Sequence, residues 1–187
     1  MTALVVFLIM RWSQKIHDSN HIIYLIFISY IIGLATGLHL LNLLTIPFIG
    51  LIIYFSIGKL STKNLILTFI FSLIIFFGIQ SIIIKGLPQL TASLGLFGLI
   101  FLIILWVIAT IYSIKSNKTF LSIFLSSVLL IVIGYSTYFA IFIRSGQNPN
   151  IDENNPETIS EAISYLNRDQ YGHCLLYTSP SPRDFVR

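Results

Sequence analysis

Acid-base chemistry needs carboxylates, and this sequence places its carboxylates unusually. All seven are Asp18, Asp152, Glu153, Glu157, Glu161, Asp169 and Asp184. None lies between Asp18 and Asp152. A carboxylate can take a proton from a hydroxyl that attacks another centre. Asp152 and Glu153, and less readily Glu157, are the acids placed for that just after the long apolar region. Arg144 stands at its edge and can hold a phosphate through two parallel N–H bonds. Arg144, Asn148, Asp152, Glu153 and Asn154 are therefore candidates to line a donor or acceptor site. The plainer alternative is a juxtamembrane anchor, a solvated acidic loop and a helix cap.

A second candidate pair is His39 and Asn42, three residues apart in an otherwise apolar stretch. Polar groups at such depth are often functional. They also serve to satisfy freed backbone groups between helices. One His and one Asn without a nearby carboxylate make a poor metal site. No metal ligand set and no catalytic residue is assigned. One cysteine, Cys174, permits neither an internal disulfide nor a zinc cluster. No P-loop, dinucleotide fingerprint, nucleophile elbow or H-E-x-x-H occurs.

The elements that must carry these groups are dictated by composition. Of 187 residues, 56% are hydrophobic and 10% charged, and mean hydropathy is +0.89. Those values exclude a disordered chain, a nucleic-acid-binding module and an ordinary soluble globule. They predict an all-α, polytopic helical membrane protein. The net charge of +4 acts as a topology signal, because the bases sit between apolar runs. With no acid among them, proton-coupled transport is disfavoured.

About six hydrophobic helices are expected: a partial one near 1–10, then 22–38, 44–58, 64–84, 93–114 and 119–143. Boundaries fall at Gly58–Lys63, Lys85–Pro88 and Lys115–Lys118. The first run is too short to cross alone; it reads as the end of a span or as a short interfacial helix. The run from Ile22 to Ile57 is split because Gly33, Gly37, His39, Asn42 and Pro47 interrupt it. Gly33 and Gly37 form a G-x-x-x-G step that permits close helix approach or adds flexibility. With the split, Arg11, Lys15, Lys59, Lys63, Lys115 and Lys118 share one side and Lys85 and Arg144 the other. Basic residues favour the cytoplasm, so the chain after Arg144 is expected outside it. Trp12, Tyr54, Trp106, Tyr112, Tyr135 and Tyr138 read as interface or packing aromatics.

Residues 144–173 form an external linker and a short amphipathic helix, expected at about 156–168. Asn155 offers an N-cap, Pro156 suits the first turn and Glu157 complements the dipole. Ile159, Ala162, Ile163 and Leu166 give one apolar stripe.

Three blocks resemble a known family: GLATGLHLLNLLTIP at Gly33–Pro47, GYSTYFAIFIRSGQNPNIDENNPE at Gly134–Glu157, and SYLNRDQYG at Ser164–Gly172. They look like a bacterial membrane family related to protein O-mannosyltransferases, over about residues 1–173. The resemblance implies a GT-C glycosyltransferase of the inner (cytoplasmic) membrane. Such enzymes take a sugar from a polyprenyl-phosphate donor and pass it to a protein hydroxyl outside the cytoplasm. The implied partners are membrane lipid, that donor and an acceptor protein, with no nucleic acid and no other cofactor. Family members carry an external acidic motif, with an aspartate proposed as base, and then a His-Pro-Pro-Gly-like stretch; neither is present here. Asp18–Ser19 in HDSNH lies on the side expected to be cytoplasmic. The chain is thus expected to be a fragment, inactive alone. The alternative function is a non-enzymatic polytopic protein, a lipid-binding or transport scaffold. CLLYTSPSPRD at Cys174–Asp184 resembles translated sequencing-adapter read-through, so 174–187 is excluded from fold reasoning; a natural Ser- and Pro-rich tail is the alternative.

Overall fold

A computed structural model describes residues 1–18, 20–57, 61–147 and 158–167. The described residues are all-helical, without strands. Chain contacts divide the protein into two units, Met1–Ala140 and Ile141–Arg187. In the first unit, α1 spans Thr2–Gln14, α2 His21–Leu38, α3 Thr45–Ile57, α4 Thr62–Gly78, α5 Gly86–Lys115 and α6 Thr119–Tyr135. A 3-10 turn, Leu40–Leu44, joins α2 to α3, and a π turn, Ile79–Lys85, joins α4 to α5. A further 3-10 turn, Ser136–Phe139, leads into α7, Ala140–Ser145.

Among the described residues, four helical runs are long and apolar enough to cross a membrane: His21–Leu38, Leu40–Ile57, Thr62–Lys115 and Thr119–Ser145. The apolar α1 is shorter, at 13 residues. It runs past the expected limit near Met10 because Val5, Leu8, Ile9 and Trp12 recur on one face and are all buried. That face packs against α2 and α3.

The centre of the unit is the pair α2 and α6. In lipid, helices gain little from hiding apolar surface, and association depends on close van der Waals approach. Two glycines provide it. A Cβ on Gly33 would lie 2.3 Å from the Ile131 carbonyl oxygen, and one on Gly134 would lie 2.5 Å from that of Tyr30. Gly37 meets Thr137 Oγ1 at 3.3 Å from its would-be Cβ. The G-x-x-x-G step therefore faces the start and end of one crossing. Because Gly33 meets Ile131 and Gly37 meets Thr137, α2 and α6 run parallel. Elsewhere α3 packs on α4 and α5 on α6.

The structure moves one expected boundary. The chain stays helical through Lys85–Pro88 and across 54 residues from Thr62 to Lys115. Its one non-helical residue is Gly95, with φ 71° and ψ 173°. Pro88 therefore lies inside a continuous helical run, where its missing N–H has a cost. That missing N–H leaves the Ile84 carbonyl, four residues earlier, without its α-helical donor. The hydroxyl of Tyr135 on α6 donates to it at 3.5 Å. Neighbouring helices satisfy freed carbonyls in membranes in this way.

The tight turns have local causes. Asn117, with φ 53°, occupies the left-handed position between α5 and α6, which Asn tolerates after Gly. Tyr54 Oη donates to the Ser61 carbonyl at 2.8 Å and accepts from the Ser61 amide at 2.7 Å, closing the α3–α4 connection. Trp106 Nε1 donates to the Leu125 carbonyl at 3.1 Å.

In the second unit, α8 spans Ile159–Asn167, later than the expected start near 156. Its cap is reciprocal. The Thr158 hydroxyl accepts from the Glu161 amide at 3.3 Å, and the Glu161 carboxylate accepts from the Thr158 amide at 2.8 Å. This is a capping box. The alternative cap, Asn155 to Glu157, lies outside the described residues.

Candidate functional site

The His39–Asn42 break is a built structure. His39 ends α2 with extended backbone, φ −157° and ψ 116°. Leu40–Leu44 then make a single 3-10 stretch, and α3 restarts at Thr45, with Pro47 tolerated in its first turn. The side chain of Asn42 secures this turn. Its Nδ2 donates to the Ala35 carbonyl at 2.8 Å and to the His39 carbonyl at 3.0 Å. Its Oδ1 accepts from the Thr2 hydroxyl at the start of α1. The Thr45 hydroxyl donates to the Asn42 carbonyl at 2.7 Å. Asn42 thus ties α1, α2 and the turn together, and both of its amide hydrogens are used.

His39 is placed differently. Its Nδ1 accepts from the Leu41 amide at 3.3 Å, and the residue is exposed. A ring nitrogen that accepts carries no proton, so in the neutral ring the proton sits on Nε2. That tautomer is assigned from the hydrogen bond. His39 therefore presents an N–H donor at the end of the bundle, suited to an oxygen of a phosphate or a hydroxyl.

Contacts lead from this turn to a cation. Gly37 abuts Thr137 and Tyr138. The Tyr138 ring stacks on Tyr135, with centroids 5.4 Å apart and 13° between planes. Tyr135 reaches the carbonyl of Ile84, and Lys85 follows it, exposed. His39, Asn42, Thr2, Thr137 and Lys85 thus share one end of the first unit. The opposite end carries Arg11, Lys15, Lys63, Lys115 and Lys118, as the alternation of α1 to α6 requires.

Sequence reasoning singled out His39 and Asn42 as candidates and did not anticipate the bonds from Thr2 to Asn42 and from Tyr135 to Ile84. Pro88 was the signal for the last, since proline frees the carbonyl four residues before it. Arg144 lies on α7, in the second unit, where its carbonyl accepts from the Gln147 amide at 3.1 Å. Asn148, Asp152, Glu153 and Asn154 lie outside the described residues. Among the described residues of the first unit the one carboxylate is Asp18, in the turn between α1 and α2, and no three His, Cys, Asp or Glu among the described residues gather as a metal set.

Residues 1–64 match the family described as Protein O-mannosyl-transferase TMEM260 N-terminal domain. That region holds α1, α2, the His39–Asn42 turn and α3. The match is to a glycosyltransferase-type membrane domain over that part of the chain. No curated protein and no solved structure matches the chain.

Proposed function

We propose that the chain forms the membrane wall of a site for a polyprenyl-phosphate sugar donor, in a protein that transfers the sugar to a protein hydroxyl outside the cytoplasm. The observation that carries this reading is the similarity of residues 1–64 to a protein O-mannosyltransferase domain. The reading places the His39 end outside the cytoplasm and the chain in an inner (cytoplasmic) membrane of a bacterium, in a GT-C arrangement. In it, His39 Nε2–H and Lys85 hold the phosphate of the donor lipid as it becomes the leaving group. Positioned donors of this kind stabilise developing charge without reorganising. Asn42 is a positioning residue that keeps the turn beneath His39 in shape. In the second unit, Arg144, Asn148, Asp152, Glu153 and Asn154 are the candidates the sequence offers for contact with a donor or acceptor.

A second reading is a non-enzymatic lipid-binding scaffold. It is favoured by the commitment of Asn42 to the turn through its bonds to Ala35, His39 and Thr2, a structural role for one of the two polar groups there.

The sugar-donor reading requires that the chain bind polyprenyl phosphate at the His39 end, and one experiment tests that. The full chain in lipid nanodiscs is irradiated with a photoreactive polyprenyl-phosphate probe, and the labelled peptides are mapped. Labelling is expected around Leu38–Leu44 and Lys85. A His39→Ala, Lys85→Ala double variant should label about tenfold less, the loss of one or two charge-assisted hydrogen bonds. Labelling spread evenly over both ends of the bundle, or unchanged in the double variant, would overturn the proposal.

A further inference from the structure

Beside the turn between α1 and α2, at the opposite end from His39, lies an open surface cavity of about 530 Å³ lined by Lys15, Asp18, Asn20, Ile23 and Tyr24. The cavity presents one charge of each sign. Lys15 Nζ lies 3.8 Å from the Asp18 carboxylate and 5.9 Å from the centre of the Tyr24 ring. Beside these charges stand Ile23 and the Tyr24 ring, and Ile23 is 62% exposed.

The turn is held in place by its own chain. Trp12 is buried beneath it and its ring lies 6.4 Å from that of His21. The Asp18 carbonyl is bonded by both the His21 amide, at 3.2 Å, and His21 Nδ1, at 2.8 Å. Asp18 is therefore fixed at its backbone while its side chain stays exposed.

Asp18 itself requires a reason. It is the one carboxylate in the sequence before Asp152. Topology is set by Lys and Arg, with acids contributing little. An exposed ion pair within one turn adds little to stability. The charge is accordingly available for an external partner, and Lys15 can exchange Asp18 for another anion at small cost.

We propose that this cavity binds the zwitterionic headgroup of a phosphoethanolamine lipid. The phosphate sits on Lys15 Nζ and the Asn20 amide. The primary ammonium donates to the Asp18 carboxylate. The glycerol and upper acyl carbons rest on Ile23 and the Tyr24 ring. A trimethylated headgroup has no N–H to give Asp18, and an anionic headgroup leaves Asp18 unpaired or repelled. The site is independent of the sugar-donor reading, which concerns the other end of the unit.

The test uses the full chain in nanodiscs of equimolar phosphatidylethanolamine, phosphatidylcholine and phosphatidylglycerol. Lipids retained after release into mild detergent are counted by native mass spectrometry. Phosphatidylethanolamine should be retained preferentially. Asp18→Asn should lower its retention about fivefold, the scale of one partly screened charge-assisted bond, with phosphatidylglycerol equal or higher. Asp18→Glu, which keeps the charge, should retain the preference. Lys15→Gln is the second variant, and it should lower retention of both phosphatidylethanolamine and phosphatidylglycerol. Equal retention of all three lipids by the native chain would overturn the proposal. So would an unchanged preference in both Asp18→Asn and Lys15→Gln. Displacement of the bound lipid by millimolar inorganic phosphate would reveal a plain phosphate site and equally contradict it.

Discussion

Replacing Gly134 with alanine should separate α2 from α6 and destabilise the bundle by about 2–3 kcal/mol, at the upper range for an overpacked core. The added carbon would meet the Tyr30 carbonyl oxygen at 2.5 Å, the Leu34 amide nitrogen at 2.7 Å and the Gly33 carbonyl carbon at 3.0 Å. All three are backbone atoms, so no side-chain rotation relieves the clash. The two helices must move apart, and the contact between Gly33 and Ile131 opens with them. Gly78→Ala is the matched control. Gly78 also sits in a helix, but its would-be Cβ has nothing within 4 Å. Alanine is the better helix former by about 1 kcal/mol, so this variant should be neutral or slightly stabilising. Unfolding in sodium dodecyl sulfate, followed by the fluorescence of Trp12 and Trp106, compares the two. Equal stabilities for Gly134→Ala and Gly78→Ala would refute the close crossing.

Gly95→Ala should cost about 1–3 kcal/mol for a different reason. Nothing lies within 4 Å of its would-be Cβ, so there is no clash. The penalty lies in the backbone: φ 71° with ψ 173° is a region that glycine alone enters readily. An L-alanine there either holds strain or straightens the kink at Gly95. A D-alanine at the same position, introduced by peptide ligation, prefers positive φ and should recover most of the loss. L- and D-alanine variants of equal stability would show that the kink does not depend on Gly95.

These two glycines mark where the sequence was and was not legible. The split of the 22–57 run could be read directly, because Gly, His, Asn and Pro crowd into an apolar stretch where each has a cost. Gly33 and Gly37 announced a close approach, but its partner could not be named. Gly134 stands alone in VIGYS, without a second small residue four positions away to signal it. Lys85 and Pro88 resemble loop residues, yet a lysine tolerates an interfacial helix and the carbonyl that Pro88 frees finds a donor in Tyr135. The bend falls instead at Gly95, which looks no different in sequence from Gly98. The cap of α8 is a Thr158-x-x-Glu161 box, legible by its spacing but overshadowed by Asn155, Pro156 and Glu157 just before it.

The candidate site was legible in the same uneven way. His39 and Asn42 stood out by polarity. Their division of labour did not, because it depends on Thr2, about forty residues away in the chain, donating to Asn42. Once that bond and those to Ala35 and His39 are formed, Asn42 is committed to structure and His39 is left with an outward N–H. Lys85 joins them only through Tyr135 and Ile84, a contact between residues 51 apart in sequence. Periodicity within a helix carries no information about such pairings.

The proposed reading has the helices cross a bilayer with the His39 and Lys85 end outside and the Lys15 end in the cytoplasm. Single cysteines placed at Lys15, Lys85 and Lys118 in a Cys174→Ser background test it most directly. A membrane-impermeant maleimide added to intact spheroplasts should label Lys85→Cys, and should label Lys15→Cys and Lys118→Cys only after the membrane is opened. Labelling of Lys85→Cys and Lys118→Cys from the same side would contradict the account.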